Sequence, residues 1–386
     1  STSVKAGDIA ADSVNVDLSK VLGTTTVGKI KSDNIIYKAS ELSADTEGKI
    51  ALASKGNIQN FKAEVTGSLG DDKIELTTAA TTSSVTLSGD LSVGNDTVDI
   101  NKDSAVDALK TVNLSGLTNY ATSTTKLKAA ASDTLTFNGG SGNDSVEVSG
   151  TAIVSLKVIG DFGGGNLDKL TLGTNTTAIT GADSAVTIDI TKVTNVDSTE
   201  INFTNGATDM SSKALTIKGS ESNDQVTLKL LAATTKVKVD GDLGDGNDTF
   251  VFKDAAKVTA VTDDNSVQSS VIKNFAVGDK IKFDSFVAEN KLVVVTSNVD
   301  DASATELKTK FADAKITAVD GLDTVADGDI FAYVNGTDTY VVYNKVGGTA
   351  DELDADDIVV KLAGVKVGTD FNLQLIDGEL HAVAIA

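Results

Sequence analysis

Three pairs of glycine-rich acidic turns recur along this chain, and alternating β-branched residues flank them. Within the pairs the two opening glycines lie 22, 21 and 22 residues apart, and successive pairs begin 72 and 80 residues apart. The first turns span 67–72, 139–144 and 219–224, and the second turns span 89–96, 160–168 and 241–248. Repetition of one supersecondary unit at a nearly fixed period is typical of a solenoid, in which each repeat packs on its neighbours.

Between the turns the sequence alternates apolar and polar residues with a period of two, which indicates β-strands. Ser, Thr, Asp or Lys takes one face, as expected for a sheet with one solvated side. The clearest predicted strands are 14–18, 74–76, 85–87, 98–100, 135–137, 146–148, 170–172, 186–190 and 226–230. Aromatic residues make up only 4% of the chain, so we expect a thin core of Val, Ile, Leu and Ala. The predicted fold is all-β, a parallel β-solenoid with β-roll-like repeats.

Helical signals are few. The capping box Ser303-Ala304-Thr305-Glu306, followed by apolar residues at helical spacing, predicts a helix over 303–314. A second, short helix is predicted over 103–110.

The glycine-rich turns stop near Lys257, and a β-rich module follows. Its predicted elements are a strand at 281–283, a hairpin at 331–343 around an Asn335-Gly336 turn, and a strand at 358–362. We therefore expect three domains: an N-terminal β segment (1–60) that begins a truncated repeat array, the turn repeats (61–256) and the C-terminal module (257–386).

The charge balance favours cations over polyanions as partners. All 33 basic residues are lysines, and 55 acidic residues bring the net charge to −22. Such a chain repels nucleic acid and attracts divalent cations. Nucleic acid is therefore excluded from the expected partners.

Cys, Pro and Trp are absent, so no disulfide forms, which is compatible with direct export that bypasses an oxidising compartment. No apolar run approaches the length of a membrane span, and we expect no membrane insertion. The N-terminal residues contain neither a signal-peptide hydrophobic region nor an initiator Met, which favours a fragment of a longer chain.

The paired turns contain the groups that calcium requires. Calcium takes about six to eight hard oxygens from carboxylates and backbone carbonyls. Glycine allows the tight backbone that turns several carbonyls toward one point, and aspartate adds charge. Because turns one coil apart stack, an ion fits between them. The predicted centres are Asp72 with Asp96, Asp144 with Asp168, and Asp224 with Asp248, with Asp90, Asp161 and Asp242 as further ligands and carbonyls from Gly70, Gly94, Gly142 and Gly246.

The other interpretation is that these Gly-Asn-Asp sequences are plain turns, since Asn and Gly both favour left-handed backbone geometry. A single occurrence would favour plain turns. Six occurrences in paired register favour calcium.

The turns resemble the nonapeptide Gly-Gly-x-Gly-x-Asp-x-apolar-x of RTX proteins, which type I exporters secrete. The resemblance covers roughly 60–255 and is degenerate, because 219–222 lacks the second and third glycines and tandem nonapeptides are absent. The isolated pairs, the absence of Cys and the pI of about 4.3 are similar to RTX-type bacterial surface-layer (S-layer) proteins, such as those of Campylobacter and Caulobacter, rather than to RTX toxins.

The tail adds to the resemblance. Residues 275–281 resemble the segment that follows RTX repeats in exported proteins. Residues 377–386 run from acidic to apolar and resemble an uncleaved type I secretion signal, although an ordinary last strand would look similar.

The resemblance implies a structural subunit of a surface layer, located outside the bacterial cell, that assembles with itself in calcium. Its other implied partners are a type I exporter and lipopolysaccharide, the latter through a region upstream of this chain. Two other function classes stay open: an RTX adhesin that binds a cell-surface ligand, and the export half of an enzyme. The sole histidine, His381, excludes a His-Glu-x-x-His zinc site, and no Gly-x-Ser-x-Gly elbow occurs, so we predict no enzymatic activity.

Overall fold

The computed structural model describes residues 4–6, 9–11, 13–17, 25–27, 30–32, 34–38, 48–53, 59–101, 103, 105, 108–174, 178–181, 185–204, 210–229, 237–253, 260–261, 267–268, 270–283, 292–298, 329–343 and 358–385. Among the described residues, all the regular secondary structure is β-strand. The prediction of an all-β fold built from parallel stacked coils is confirmed.

The strands in chain order are β1 (Val4–Ala6), β2 (Ile9–Ala10), β3 (Ser13–Asp17), β4 (Thr25–Val27), β5 (Ile30–Lys31), β6 (Asn34–Lys38), β7 (Gly48–Ala53), β8 (Asn60–Thr66), β9 (Asp72–Thr77), β10 (Ser84–Asp90), β11 (Thr97–Ile100), β12 (Thr111–Thr118), β13 (Thr122–Ala129), β14 (Ser132–Asn138), β15 (Asn143–Gly150), β16 (Ser155–Asp161) and β17 (Lys169–Leu172). They continue with β18 (Ile179–Thr180), β19 (Val186–Thr194), β20 (Ser198–Thr204), β21 (Met210–Lys218), β22 (Asn223–Lys229), β23 (Val237–Asp242), β24 (Thr249–Lys253), β25 (Ala260–Val261), β26 (Val267–Gln268), β27 (Ser270–Lys273), β28 (Lys280–Phe283), β29 (Leu292–Asn298), β30 (Ile330–Asn335), β31 (Asp338–Tyr343), β32 (Ile358–Ala363), β33 (Asn372–Ile376) and β34 (Glu379–Val383).

The period-two pattern of the sequence explains these strands. In β8 the side chains of Phe61, Ala63 and Val65 are buried, and the residues between them are more exposed. Burying one such apolar side chain contributes roughly 1.5 to 3 kcal/mol. Because the side chains of a strand alternate between the two faces, a shift of one residue would expose this whole set. The alternation therefore fixes the register of each coil on the next.

The chain divides into two compact units. The first unit comprises 1–151, 156–178 and 192–200. Its strands form two sheets, and each complete coil contributes one strand to each sheet. The orders are β3-β6-β8-β10-β12-β14-β16 and β2-β5-β7-β9-β11-β13-β15-β17. Neighbouring strands run parallel, as where β10 places Val85 opposite Phe61 of β8.

The second unit comprises 152–155, 179–191 and 201–386. Its sheet orders are β19-β21-β23-β27-β32-β31-β30-β29 and β20-β22-β24-β28-β34-β33, and β18 also pairs with β20. Parallel coils continue through β27 and β28, and antiparallel pairs then appear, such as β34 on β28. A row of stacked rings fills this core: the Phe252 and Phe283 centroids lie 5.6 Å apart, and those of Phe283 and Tyr343 lie 4.8 Å apart. The few aromatic residues thus contribute more to the core than the sequence suggested.

At the paired turns the coil is longer than the glycine spacing indicated. Ser84 stands opposite Asn60, and Thr97 stands opposite Lys73, so matched residues lie 24 apart. Gly89 pairs with Val65, which places Gly67 against the backbone of Leu91. The first and second glycines of a pair therefore occupy different positions in their turns, and the aspartates are the residues that match.

Two local predictions differ from the structure. The helix expected over 103–110 is wrong in the residues described there, where Asp103 and Ala108 lie in turns. The hairpin turn consists of Gly336 and Thr337 instead of Asn335-Gly336, because Asn335 still pairs with Asp338. The helix predicted over 303–314 lies outside the described residues. In the part of the chain that is described, no helix is long and apolar enough to cross a membrane.

Replacing Gly160 by Ala is expected to destabilise the first unit by about 2 to 5 kcal/mol in chemical denaturation. Gly160 has a φ of 141°, and a Cβ atom there would overlap the carbonyl oxygen of Phe137 on the adjacent coil. Gly164→Ala is the matched control, because the nearest atom to its Cβ would be Gly140 O at 4.0 Å. Equal stability of the two variants would contradict the close approach of the coils.

Candidate metal centres at the stacked turns

The predicted turns lie where the chain passes from a strand of one sheet to a strand of the other. The turn between β8 and β9 is followed by the turn between β10 and β11, and the two stack closely. A Cβ atom on Gly94 would lie 2.7 Å from the carbonyl oxygen of Gly70. One on Gly246, whose φ is 130°, would lie 2.7 Å from Ser222 O. Glycine is required here because backbone meets backbone.

In every pair the carboxylate of the second aspartate accepts a hydrogen bond from the backbone N–H of the first aspartate. The bonds are Asp72 N to Asp96 Oδ1 at 2.7 Å, Asp144 N to Asp168 Oδ1 at 2.6 Å, and Asp224 N to Asp248 Oδ1 at 2.9 Å. The three predicted pairs are thus brought together. Each bond links neighbouring coils, so these carboxylates also hold the coil stack together.

A second set of bonds runs in the opposite direction and was not predicted. The residue before the first aspartate accepts a hydrogen bond from the backbone of the next coil. These bonds are Asn95 N to Asp71 Oδ1 at 2.9 Å, Asn166 N to Asn143 Oδ1 at 3.0 Å, and Asn247 N to Asn223 Oδ1 at 2.8 Å. We call the two opposed bonds of one pair a reciprocal clasp. Its sequence signal is Asp or Asn directly before the first aspartate.

The first aspartate of each pair closes its own turn. Asp72 Oδ2 accepts bonds from Ser68 N at 2.5 Å and from Ser68 Oγ at 3.0 Å. In Asp224 the Oδ2 atom accepts from Ser220 N at 2.7 Å and the Oδ1 atom accepts from Ser220 Oγ at 3.1 Å. Asp144 accepts from Gly140 N at 3.1 Å.

Asp144 has two further partners from the preceding coil. The Tyr120 hydroxyl lies 2.9 Å from both carboxylate oxygens of Asp144, and Ser123 Oγ donates to Oδ1. Tyr120 is therefore a ring held directly beside one predicted centre.

A third coil follows each pair, and it contains residues that the sequence analysis missed. Asp197 Oδ2 accepts from Asp168 N at 2.7 Å, and Asp279 Oδ1 accepts from Asp248 N at 2.8 Å. After the first pair the matching residue is Ala121, whose N–H donates to Asp96 O at 2.9 Å. Two columns of matched aspartates are therefore three long, and the first column is two long.

The three aspartates predicted as further ligands lie in a separate column. Each accepts a bond from an asparagine of the third coil: Asn119 Nδ2 to Asp90 Oδ1 at 2.9 Å, Asn195 Nδ2 to Asp161 Oδ1 at 2.7 Å, and Asn274 Nδ2 to Asp242 Oδ1 at 2.7 Å. These asparagines adopt left-handed backbone geometry, with φ between 53° and 58°. Among the described residues no three His, Cys, Asp or Glu side chains converge in a metal-site arrangement. The described contacts of Asp90, Asp161 and Asp242 therefore join them to these asparagines, and their role as further ligands stays a prediction.

Burial raises the pKa of all six paired aspartates. Desolvation raises the pKa of Asp144 to about 6, that of Asp224 to about 7 and that of Asp248 to about 8. It also raises the pKa of Asp72, Asp96 and Asp168. A buried carboxylate is costly unless hydrogen bonds or a cation compensate for lost water.

Two of these carboxylates are incompletely satisfied. Asp96 and Asp168 are 0% exposed, and the Oδ2 atom of each has no hydrogen-bond partner. Protonation would remove the charge but would leave a buried O–H donor without an acceptor. A cation would compensate for the charge and would also use the free lone pairs. The oxygen-only donor set, with stacked glycine carbonyls nearby, fits a hard ion such as calcium.

A scan against protein-family models found no match to this chain, and a search of curated proteins found no relative.

In the presence of a chelator, we expect the stability of the chain to fall as the pH rises from about 4 to 8. The folded pKa of Asp144, Asp224 and Asp248 lies above the ordinary value of 3.8, so the folded state binds more protons over this range. Stability is then greatest below the unfolded pKa and is lost as the pH passes the folded pKa values. Urea denaturation at a series of pH values measures this.

Asp248→Asn is the diagnostic variant, because Asn keeps an acceptor for Asp224 N but does not titrate. It should flatten the pH profile. If the stability of the wild type instead increases from pH 4 to 8, the pKa of these aspartates is not raised in the metal-free fold, and the prediction is wrong.

Proposed function

We propose that this chain is a structural subunit of a bacterial surface layer, exported by a type I system, whose coils are held together by calcium at the paired turns. One observation carries the calcium part of the proposal. Asp96 and Asp168 are the second aspartates of two different turn pairs, and each is fully buried with one carboxylate oxygen that has no hydrogen-bond partner. The extracellular location, the lattice of identical copies and the attachment to lipopolysaccharide through an upstream region belong to the same proposal.

Calcium would be held by Asp72 with Asp96, by Asp144 with Asp168 and by Asp224 with Asp248. When bound, it would supply the positive charge that the surrounding N–H and O–H donors do not. The chain's own residues do the positioning: each reciprocal clasp fixes two coils at the spacing of a parallel sheet, roughly 4.8 Å. Because calcium is scarce in the cytosol and abundant outside the cell, the turns would then bind calcium and close only after export.

The distribution of charge favours a scaffold. Lysines pair with carboxylates on the solvated faces, as Lys126 does with Glu147 at 3.6 Å and Lys169 with Glu200 at 2.9 Å. The net charge of −22 nevertheless makes like copies repel each other. Divalent cations both neutralise the turns and lower that repulsion, so folding and assembly would respond to the same ion.

A second candidate function, adhesion to a cell-surface ligand, is favoured by one feature of the first unit. A cleft of about 530 Å³ lies beside the second turn pair, with Ser115, Asn138 and Asp161 among its lining residues. Gly163 and Gly164 form part of its wall, where the first pair has the larger residues Ser92 and Val93. Its hydroxyl, amide and carboxylate groups suit a small polar ligand.

The calcium part of the proposal predicts terbium luminescence from the full chain when tyrosine is excited. Terbium(III) replaces calcium at oxygen sites, and the Tyr120 hydroxyl lies 2.9 Å from the Asp144 carboxylate. Most of the sensitised signal should disappear in Tyr120→Phe and persist in Tyr340→Phe, whose ring stacks on Tyr333 at 5.3 Å. Excess calcium should displace the terbium. Equal loss in the two variants would contradict a metal at the Asp144–Asp168 pair.

The surface-layer part predicts ordered two-dimensional sheets of the full chain in electron micrographs with calcium, and their dissolution in chelator. If the chain binds calcium yet stays monomeric at all concentrations, the lattice proposal is wrong and adhesion becomes the better candidate. A calcium-indifferent monomer contradicts both parts.

A further inference from the structure

The cleft beside the second turn pair lies where two neighbouring coils stop pairing. The ladder between β12 and β14 runs from Thr111 opposite Thr136 to Asn113 opposite Asn138. Strand β12 continues to Thr118, and its register with β10 shifts by one residue after Asn113, as at a β-bulge. The cleft follows the end of this ladder, and its volume of about 530 Å³ is that of an ordinary ligand site.

The first turn pair has apolar side chains where the cleft has small residues. Counted from the opening glycine of each turn, Leu69 corresponds to Ser141, and Val93 corresponds to Gly164. Leu69 is 52% exposed and Val93 is 61% exposed. A Cβ atom on Gly164 would have only Gly140 O within reach, at 4.0 Å. The open space at the second pair is therefore a consequence of its sequence, since a larger residue would fit the same turn.

Asp161 provides an acceptor in this cleft. Its Oδ1 atom accepts from Gly163 N at 2.9 Å and from Asn195 Nδ2 at 2.7 Å. Both described bonds of the carboxylate thus use one oxygen, and the exposed side chain leaves Oδ2 for a ligand. Asp161 is the only charged residue among the described residues that line the cleft. Because no lysine lines it, the cleft repels anionic ligands.

Asn138 and Ser141 provide donors. Asn138 Oδ1 accepts from Asp161 N at 3.4 Å, and Ser141 Oγ accepts from Asn119 N at 2.9 Å. Among the described contacts, the amide N–H groups of Asn138 and the hydroxyl hydrogen of Ser141 are then left for a ligand. Glycine backbone at 139–140 and 163–164 forms the rest of the wall without side chains. This combination suits a ligand with many hydroxyl groups and no charge.

We infer that the cleft binds a neutral saccharide. Each hydroxyl of a sugar both donates and accepts hydrogen bonds, which matches a lining of amide, hydroxyl and carboxylate groups. Sugars that carry phosphate, sulfate or a carboxylate would meet the charge of Asp161 with no cation to pair with. The inference rests on the adhesion candidate described above and names its ligand class. It requires neither the lattice nor a calcium ion.

The test is binding of the full chain, in calcium, to an array of immobilised oligosaccharides. The neutral members consist of hexose and N-acetylhexosamine units, and the comparison members are the same chains with a uronic acid, a phosphate or a free amino group. We expect the wild type to bind a neutral member more tightly than its charged counterparts. Isothermal titration calorimetry with that neutral member then gives the Kd for each variant.

Asp161→Asn is the first variant, because Asn keeps an acceptor for the two hydrogen bonds of Asp161 and removes the charge. It should weaken binding about tenfold, since a charged acceptor forms the stronger hydrogen bond. Asp189→Asn is the charge-matched control. Asp189 also accepts two bonds through Oδ1, from Thr191 N at 3.1 Å and Thr191 Oγ1 at 2.8 Å, and it does not line the cleft.

Gly164→Phe is the second variant, and it should abolish binding because the ring takes up space in the cleft. It removes no oxygen ligand, so its effect is independent of any calcium that Asp161 holds. Val93→Phe is the matched control, since it places the same ring at the corresponding position of the first turn pair. The affinity of this control should equal that of the wild type.

The inference is wrong if the wild type binds no neutral oligosaccharide, or if both cleft variants bind as tightly as their controls. Tighter binding of the amino-bearing chains would overturn the neutral ligand class and leave an adhesive cleft for cations. None of these results affects the calcium and lattice proposals, which terbium luminescence and electron micrographs test separately. Failure of those two tests would in turn leave saccharide binding in the cleft unaffected.

Discussion

The hydrogen bond from the backbone N–H of one coil to the aspartate carboxylate of the next holds the turn edge of this solenoid together. At the turns the chain leaves one sheet and enters the other, so the regular ladder does not provide every backbone group with a partner. A buried N–H without an acceptor is costly, and nearly all such groups in folded proteins are satisfied. Asp96, Asp168 and Asp248 provide the acceptors, which explains an acidic residue at a buried position.

This solution satisfies the backbone but creates an electrostatic problem. A neutral asparagine could accept the same hydrogen bond, yet these positions contain aspartate, with Oδ2 of Asp96 and Asp168 buried and unpartnered. Lysines of the described residues pair with carboxylates outside these pairs, such as Glu147 and Glu379. We propose that a small external cation compensates for the charge of the column, which would link the fold to the proposed calcium dependence.

The sequence predicted the features that depend on local pattern. Alternation predicted the strands because burial on one face and solvent on the other follow directly from the pleat. It also predicted which aspartates meet, since the turns recur in register. The glycine spacing does not predict the 24-residue coil because the opening glycines are not equivalent in the structure, where Gly67 faces Leu91.

The other omissions have a common physical origin: they are contacts between coils whose turns do not share a motif. Asp197 and Asp279 sit in turns that are 29 and 31 residues after their partners, with different sequences. Only the strand register reveals that they continue the same column. The asparagines that hold Asp90, Asp161 and Asp242 share one sequence signal, an Asn after a strand followed by a buried Tyr, Val or Phe.

The reciprocal clasps also have a mechanical consequence. Because the two bonds of a clasp run in opposite directions between the same two turns, sliding one turn over its neighbour strains both bonds, whichever way it moves. The turn edge of each pair therefore resists shear in either direction. The opposite connection, 78–83 between β9 and β10, also has bonds in both directions, since Thr78 N donates to Asn101 Oδ1 and Asn101 Nδ2 donates to Thr78 Oγ1. These two coils should therefore resist sliding at both edges.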